Sequence, residues 1–286
     1  MRIGCHVPTA GGYEKMVGYI DQIGAECYQI FAKSPRQWHS KELDLAAATL
    51  LASLAAAHDL GPMFTHTAYL INLTTSNDEL RAKSVAALAD ELTRGSMLGA
   101  VGVNTHMGNV PDGDVQDAIV RASRAIEEAF ALAGGAENVK TRLVLENTAG
   151  AGSTFGGPIA DLAAIIDGCD LPRESLGICI DTCHAWAFGY DVATAEGWEG
   201  IHSEIETLIG LDRWVLIHVN DCKYERGSKK DRHEWIGDGF IGLDGFDAMI
   251  HLPGTEHVCI CTEMPGEMPE KDIVNIERLR ALRDGK

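Results

Sequence analysis

Short apolar runs alternate along this chain with longer stretches whose apolar residues recur at helical spacing. The runs cover residues 3–7, 27–32, 63–65, 101–105, 143–145, 176–180, 214–219 and 258–261. Helical periodicity covers 13–23, 43–58, 78–98, 115–133, 159–167, 200–210, 246–251 and 273–283. The runs are continuous rather than alternating, as expected of strands covered on both faces. Strands alternating with helices predict βαβ units and a parallel sheet. Eight such repeats predict closure into an α/β barrel, a (β/α)8 TIM barrel, with residues 1–286 as one domain. No linker or low-complexity segment marks a second unit.

One connection breaks the rhythm. Residues 220–242 are too long for a simple strand-to-helix loop, which usually takes about 2–6 residues. The segment carries Lys223, Arg226, Lys229, Lys230 and Arg232. Long loops in compact domains tend to be functional, and in a closed barrel the chemistry sits on the loops after the strands.

Six acidic or histidine residues lie at or just past the C-terminal ends of these runs: His66, His106, Glu146, Asp181, His218 and Glu263. Their separations are 40, 40, 35, 37 and 45 residues, the length that one strand, one helix and two loops consume. Each therefore falls at the same end of its own repeat, and all can point into one pocket at the C-terminal face of the strands. Three more complete the set. His184 follows Asp181 by one helical turn, and Asp231 and His233 share one side of an extended segment. Five histidines and four carboxylates suit zinc, and manganese suits the same donors. Nine donors are too many for one ion but match two or three, with Glu146 able to bridge. A lone histidine after a strand is more often a core or surface residue; six in phase argue otherwise. His39, His58, His202, His251 and His257 fall in loops or helical stretches and read as ordinary histidines. His6 lies near the end of the first run and reads as a supporting or substrate-contacting residue.

Charge complicates this picture. The net charge of −18 weighs against bulk attraction to nucleic acid, so any such contact must come from local basic loops or bound cations. The eight cysteines lie mostly in apolar runs, where they act as small hydrophobes, and none has zinc-ribbon spacing. Residues 1–12 lack the apolar segment of a signal peptide, and the Ala/Leu-rich stretch 43–57 is too short to span a bilayer. A reducing, cytoplasmic setting is the expectation, with no membrane role and no obligate protein partner.

Several short segments, in this order, resemble the endonuclease IV family of apurinic/apyrimidinic endonucleases. They are Thr67-Ala68-Tyr69-Leu70-Ile71-Asn72-Leu73, Glu146-Asn147-Thr148-Ala149-Gly150, Ile180-Asp181-Thr182-Cys183-His184-Ala185, His218-Val219-Asn220-Asp221, and Asp231-Arg232-His233 followed by Gly237-x-Gly239-x-Ile241-Gly242. The resemblance runs from about Ile3 to Glu263.

The resemblance implies three zinc ions per chain. His66, His106 and Glu146 would hold the first, and Glu146, Asp181, His218 and Glu263 the second. His184, Asp231 and His233 would hold the third. It implies hydrolysis of the phosphodiester 5′ to an abasic site in double-stranded DNA, leaving a 3′-hydroxyl and a 5′-deoxyribose phosphate, with trimming of blocked 3′ ends. Glu146 and Glu263 would be the catalytic carboxylates. An abasic site offers no base to read, so recognition would be geometric, by a flipped sugar and side chains wedged into the duplex. Tyr69 and Leu70, with Arg36 and Gln37 of the 31–38 segment and Arg232, would be the DNA contacts; a core-packing staple is the alternative for Tyr69 and Leu70. Met107 stands where the family usually has proline, and Pro8 where serine is common. A sugar isomerase or epimerase on a similar barrel is the competing expectation. It would use Glu146, Asp181, His218 and Glu263 around one metal and has no use for His184 with Asp231 and His233.

Overall fold

The structure, a computed structural model, describes residues 1–111 and 113–285. Seven strands lead: β1 (Arg2–His6), β2 (Cys27–Phe31), β3 (Met63–His66), β4 (Gly102–Thr105), β5 (Arg142–Glu146), β6 (Leu176–Asp181) and β7 (Trp214–His218). Two short strands follow, β8 (Asp221–Cys222) and β9 (His233–Glu234), paired antiparallel as a separate ribbon. The strand β10 (Cys259–Thr262) pairs with both β7 and β1 and closes an eight-stranded parallel barrel. Every apolar run of the sequence overlaps one of its strands.

The helices are α1 (Tyr13–Ile23), α2 (Leu45–Ala57), α3 (Asp78–Leu98), α4 (Val115–Leu132), α5 (Ile159–Asp167), α6 (Thr182–Phe188), α7 (Ala195–Leu208), α8 (Gly242–Ile250) and α9 (Glu270–Arg283). Side-chain caps start several of them: Asp44 accepts from Ala46 N, Asn77 from Leu80 N and Thr194 from Gly197 N. Such caps satisfy amides that have no partner within the helix. Gly24 and Gly99, both left-handed, end α1 and α3. The apolar stripe of α4, Ala118, Ala122, Ile126 and Ala129, recurs at intervals of four or three residues and is fully buried. Among the described residues no helix is long and apolar enough to cross a membrane.

Two apolar layers result. The larger lies between strands and helices. The smaller fills the barrel with Cys27, Phe64, Val144, Cys179, Leu216, Cys259 and Cys261. The fill depends on absent side chains as well: a Cβ on Gly102 would sit 2.9 Å from the Phe64 ring and 2.7 Å from Val144. Residues two apart on a strand share a face. The next inward positions above this plug are therefore His66, Glu146, Asp181, His218 and Glu263. The apolar plug carries the polar site.

Candidate metal centre

His66, Glu146, Asp181 and His218 are the last residues of β3, β5, β6 and β7, and His106 and Glu263 follow β4 and β10 by one residue. The barrel gathers them as the sequence spacing predicted. Among the described residues five overlapping donor sets have their ligand-type atoms within 4.8 Å of one another; three of them, which share no residue, are His66, His106 and Glu146; Asp181, His218 and Glu263; and His184, Asp231 and His233. Glu146 joins the first two. Its Oε2 lies 3.3 Å from His66 Nε2 and 3.6 Å from His106 Nε2, and its Oε1 lies 3.0 Å from His218 Nδ1. Glu263 Oε2 stands 3.5 Å from the same His218 nitrogen. In the third group Asp231 lies 3.2 Å from both His184 Nε2 and His233 Nε2. Asp181 Oδ2 is 3.7 Å from His233 Nε2, so the second and third groups adjoin.

The orientation of the histidines is as informative as their position. Four have one ring nitrogen held by a backbone carbonyl or by Gln29, although His184 Nδ1 also lies 3.4 Å from Glu146 Oε1. His66 Nδ1 meets Thr67 O at 2.8 Å, and His184 Nδ1 meets Asn147 O at 3.0 Å. His233 Nδ1 meets Glu263 O at 3.0 Å, and His218 Nε2 meets Gln29 Oε1 at 3.0 Å. Each contact fixes the ring and presents the other nitrogen inward, the arrangement that metal-ligating histidines adopt. His233 Nε2 is buried and makes no hydrogen bond although carboxylate oxygens flank it. A ring nitrogen aimed between carboxylates fits a cation.

The amides that hold these groups were invisible to ligand spacing. Gln29 Nε2 donates to Glu263 Oε1 at 2.9 Å, and His6 Nδ1 lies 3.1 Å from the same oxygen. Asn104 hydrogen-bonds Glu146, and Asn220 Nδ2 donates to Asp181 Oδ2 at 2.7 Å. Asn147 Oδ1 accepts from Asp181 N at 2.6 Å. Asp181 also caps α6, its Oδ1 accepting from His184 N at 2.8 Å. Cys183 lies beside Asp181 and His233, closer to the cluster than its apolar setting suggested. Its neighbour Cys222 and burial push the thiol up, so it stays a neutral and weak donor.

Electrostatics follows from packing donors of both kinds together. Burial works against charging His218 and His184, but Cys179, Glu263 and Glu146 around His218, and Asp181, Asp231 and Glu146 around His184, outweigh it and raise both. His233, opposed by burial but facing Asp181 and Asp231, is pushed up to about 9. Against burial, the histidines hold Glu146 and Asp231 well below the usual carboxylate range. Burial lowers His106 to about 4, which keeps it neutral. Without a cation the cluster is thus a lattice of ion pairs, and a divalent ion can replace the protons on its imidazoles.

Two cavities flank the cluster. One of about 230 Å³ borders His106, Thr148, His184 and Asp231; the other, of about 470 Å³, borders His6, Phe31 and Glu263. Tyr69 lines both and is 63% exposed. That exposure rules out a core staple for Tyr69. Its ring stands edge-on to Phe31 at 5.6 Å, and its N–H donates to Pro35 O at 3.1 Å, joining the loops after β2 and β3. Arg36, Gln37 and Arg232 are exposed on the same face, and Leu70 is half-buried. The other cations of the long loop are engaged: Arg226 pairs with Asp191, Lys223 with Glu234, Lys229 donates to Phe188 O, and Lys230 lies over the Tyr224 ring. Met107, at the position of the family's proline, is fully buried against the core, and its carbonyl accepts from Leu73 N at 2.8 Å.

A barrel closed over an apolar plug, with histidines and carboxylates at the strand ends, defines a class. Residues 17–283 match the xylose isomerase-like TIM barrel family. Among curated relatives, the probable endonuclease 4 of Methanoculleus marisnigri is 40% identical over 280 residues, covering 98% of each chain. That of Chloroflexus aurantiacus is 36% identical over 285 residues, 99% of each chain. The crystal structure of endonuclease IV from Thermus thermophilus superposes with a TM-score of 0.87 at 33% identity, over the full length of both chains. A D-tagatose 3-epimerase-like protein shares the fold alone, with a TM-score of 0.73 at 18% identity. The chain belongs to the endonuclease IV family.

Proposed function

We propose that this chain is a DNA repair endonuclease that hydrolyses the phosphodiester 5′ to abasic sites in double-stranded DNA. The products are a 3′-hydroxyl and a 5′-deoxyribose phosphate, and the same site trims blocked 3′ ends. The observation that carries this reading is the third donor group, His184, Asp231 and His233, next to a pair of groups that share Glu146. A single-metal sugar isomerase needs only Glu146, Asp181, His218 and Glu263.

In this reading zinc occupies all three groups, with His66, His106 and Glu146 holding one ion. Asp181, His218 and Glu263, with the bridging Glu146, hold the second, and His184, Asp231 and His233 the third. Clustered divalent ions, when bound, polarise a phosphodiester and stabilise both its attacking and its leaving oxygens. The chain's own part is to hold those donors rigid. Glu146 and Glu263 are the carboxylates nearest the reacting group, and His6 and Gln29 steady Glu263. Tyr69, Leu70, Arg36, Gln37 and Arg232 contact the duplex. Tyr69, an exposed aromatic side chain that borders both cavities, is suited with its neighbour Leu70 to fill the gap that a flipped abasic sugar leaves. The chain works as one domain in a reducing cytoplasm.

The test pairs elemental analysis with a duplex carrying one abasic site. About three zinc per chain and a nick on the 5′ side of the lesion are expected. One metal per chain, no nick and turnover of a ketose would replace this reading with the isomerase.

A further inference from the structure

The run Gly237-x-Gly239-x-Ile241-Gly242 opens α8, and its spacing is that of a dinucleotide-binding turn, in which backbone N–H groups cradle a phosphate. Here the cradle already has an anion, and it belongs to the protein. Gly237 N, Gly239 N and Gly242 N donate to Asp221 Oδ2 at 3.0, 3.1 and 3.2 Å. Ile241 N and Cys222 N donate to Asp221 Oδ1, each at 2.8 Å. Asp221 is completely buried. Gly237 and Gly242 have φ of 87° and 74°, where a side chain is strained. A Cβ on Gly239 would lie 2.5 Å from Asp221 Oδ1. The glycines are there to bring amides to this carboxylate, and five such contacts offset the cost of burying its charge.

The clamp has a target. Asp221 sits where the long loop leaves the barrel, and the run 237–242 is where the loop returns. Between them the chain carries Asp231 and His233. The ribbon pairs Asp221 with Glu234 and Cys222 with His233, which sets the height of His233 above the barrel. The preceding residue, Asn220, grips the second donor group through Asp181 and accepts from Glu263 N at 2.8 Å. Two adjacent side chains thus tie the loop in opposite directions, one to the barrel rim and one to the loop's far end.

We infer that Asp221 is the positioning residue of the third donor group: its carboxylate, held by the amides of 237–242, places Asp231 and His233 against His184. The inference rests on the metal reading above for what that group holds, but the clamp itself can be measured without metal. In Asp221→Asn the amide NH2 must face N–H donors. In Gly239→Ala the carboxylate stays and the cradle is obstructed. Zinc per chain, measured on each purified protein, falls from about three to about two in both variants, with the Glu146-sharing pair retained. In the metal-free proteins the amides of 237, 239, 241 and 242 exchange roughly 10- to 100-fold faster than in the parent, the loss expected for charge-assisted hydrogen bonds, while barrel-strand amides keep their protection.

Three ions and unchanged exchange in both variants would overturn the inference. So would proportionate loss of all ions in Gly239→Ala, since a general structural defect does not single out one group. If Asp221→Asn fails to fold, Gly239→Ala decides alone. If the parent protein binds fewer than three ions, the metal reading fails, and the exchange arm still tests the clamp.

Discussion

Glu146 Oε1 and His218 Nδ1 face each other at 3.0 Å across the barrel mouth, while the other carboxylate oxygen faces His66 and His106. One side chain therefore serves two donor groups. Replacing it with glutamine keeps the shape and removes the charge that balances several imidazoles. Glu146→Gln is expected to lower nicking of an abasic duplex by at least ~100-fold, more than the loss of a supporting hydrogen bond. Metal content should fall by about one ion per chain. Near-normal turnover with full metal would refute the bridging role.

His218 is aimed by Gln29, which also holds Glu263. Gln29→Leu preserves bulk but frees the ring and the carboxylate together. Loss of such a partner typically costs about 10–100-fold in metal affinity. A chelator competition titration should show that drop, with the circular dichroism spectrum unchanged. Equal affinity in the two proteins would leave Gln29 as packing only.

The charge lattice predicts a pH dependence of metal uptake. His233 is raised to about 9 from its ordinary 6.5, and Asp231 is held below its ordinary 3.8. The raised imidazole stabilises the folded metal-free chain fully below about pH 6.5, and that contribution is lost as pH rises through about 9. The depressed carboxylate contributes above about pH 3.8, and its contribution is lost as pH falls toward its lower folded value. Between these limits a cation must displace the imidazole proton. Zinc binding should therefore release protons at pH 7, and affinity should climb with pH up to about 9. Calorimetry in buffers of different ionisation enthalpy reads the released protons directly; a pH-independent affinity would show that these imidazoles are already neutral.

Strand order and the main donors were legible because they obey two strong rules. Strands covered on both faces are apolar throughout, so all eight runs were visible. The even spacing of the repeats then put Glu146 and His218 at the same end of their own units. Other features follow weaker signals. The helix Thr182–Phe188 has only seven residues, too few for a period to show. The ribbon of Asp221–Cys222 and His233–Glu234 has two residues per strand. Helix α7 starts at Ala195 rather than residue 200 because Thr194 caps it, a cue that apolar spacing does not carry. Gln29 and Asn104 escaped, and Asn147 and Asn220 were read only as parts of motifs, because an amide in or after a strand carries no ligand signature; what identifies it is the carboxylate or imidazole opposite. Asp221 was read only as part of a motif, since nothing in the local sequence says that amides of residues 237–242 turn back upon it.

Tyr69 and Arg36 offer a way to separate shape from charge in DNA binding. Tyr69 stands uncharged between the two cavities, and its loop is bonded to the loop that carries Arg36. Tyr69→Ala should weaken binding to an abasic duplex by ~5- to 100-fold, the range of a lost stacking contact. Zinc content and the slope of log affinity against log salt should not change. Arg36→Ala should instead flatten that slope by about one unit, as expected for one phosphate contact. Because the chain carries a net charge of −18, few cations offset the repulsion from the duplex, and each lost contact weighs heavily. Fluorescence anisotropy across a salt series measures both variants. A Tyr69→Ala protein that binds as tightly as the parent, or that loses zinc, would remove the residue from the recognition surface.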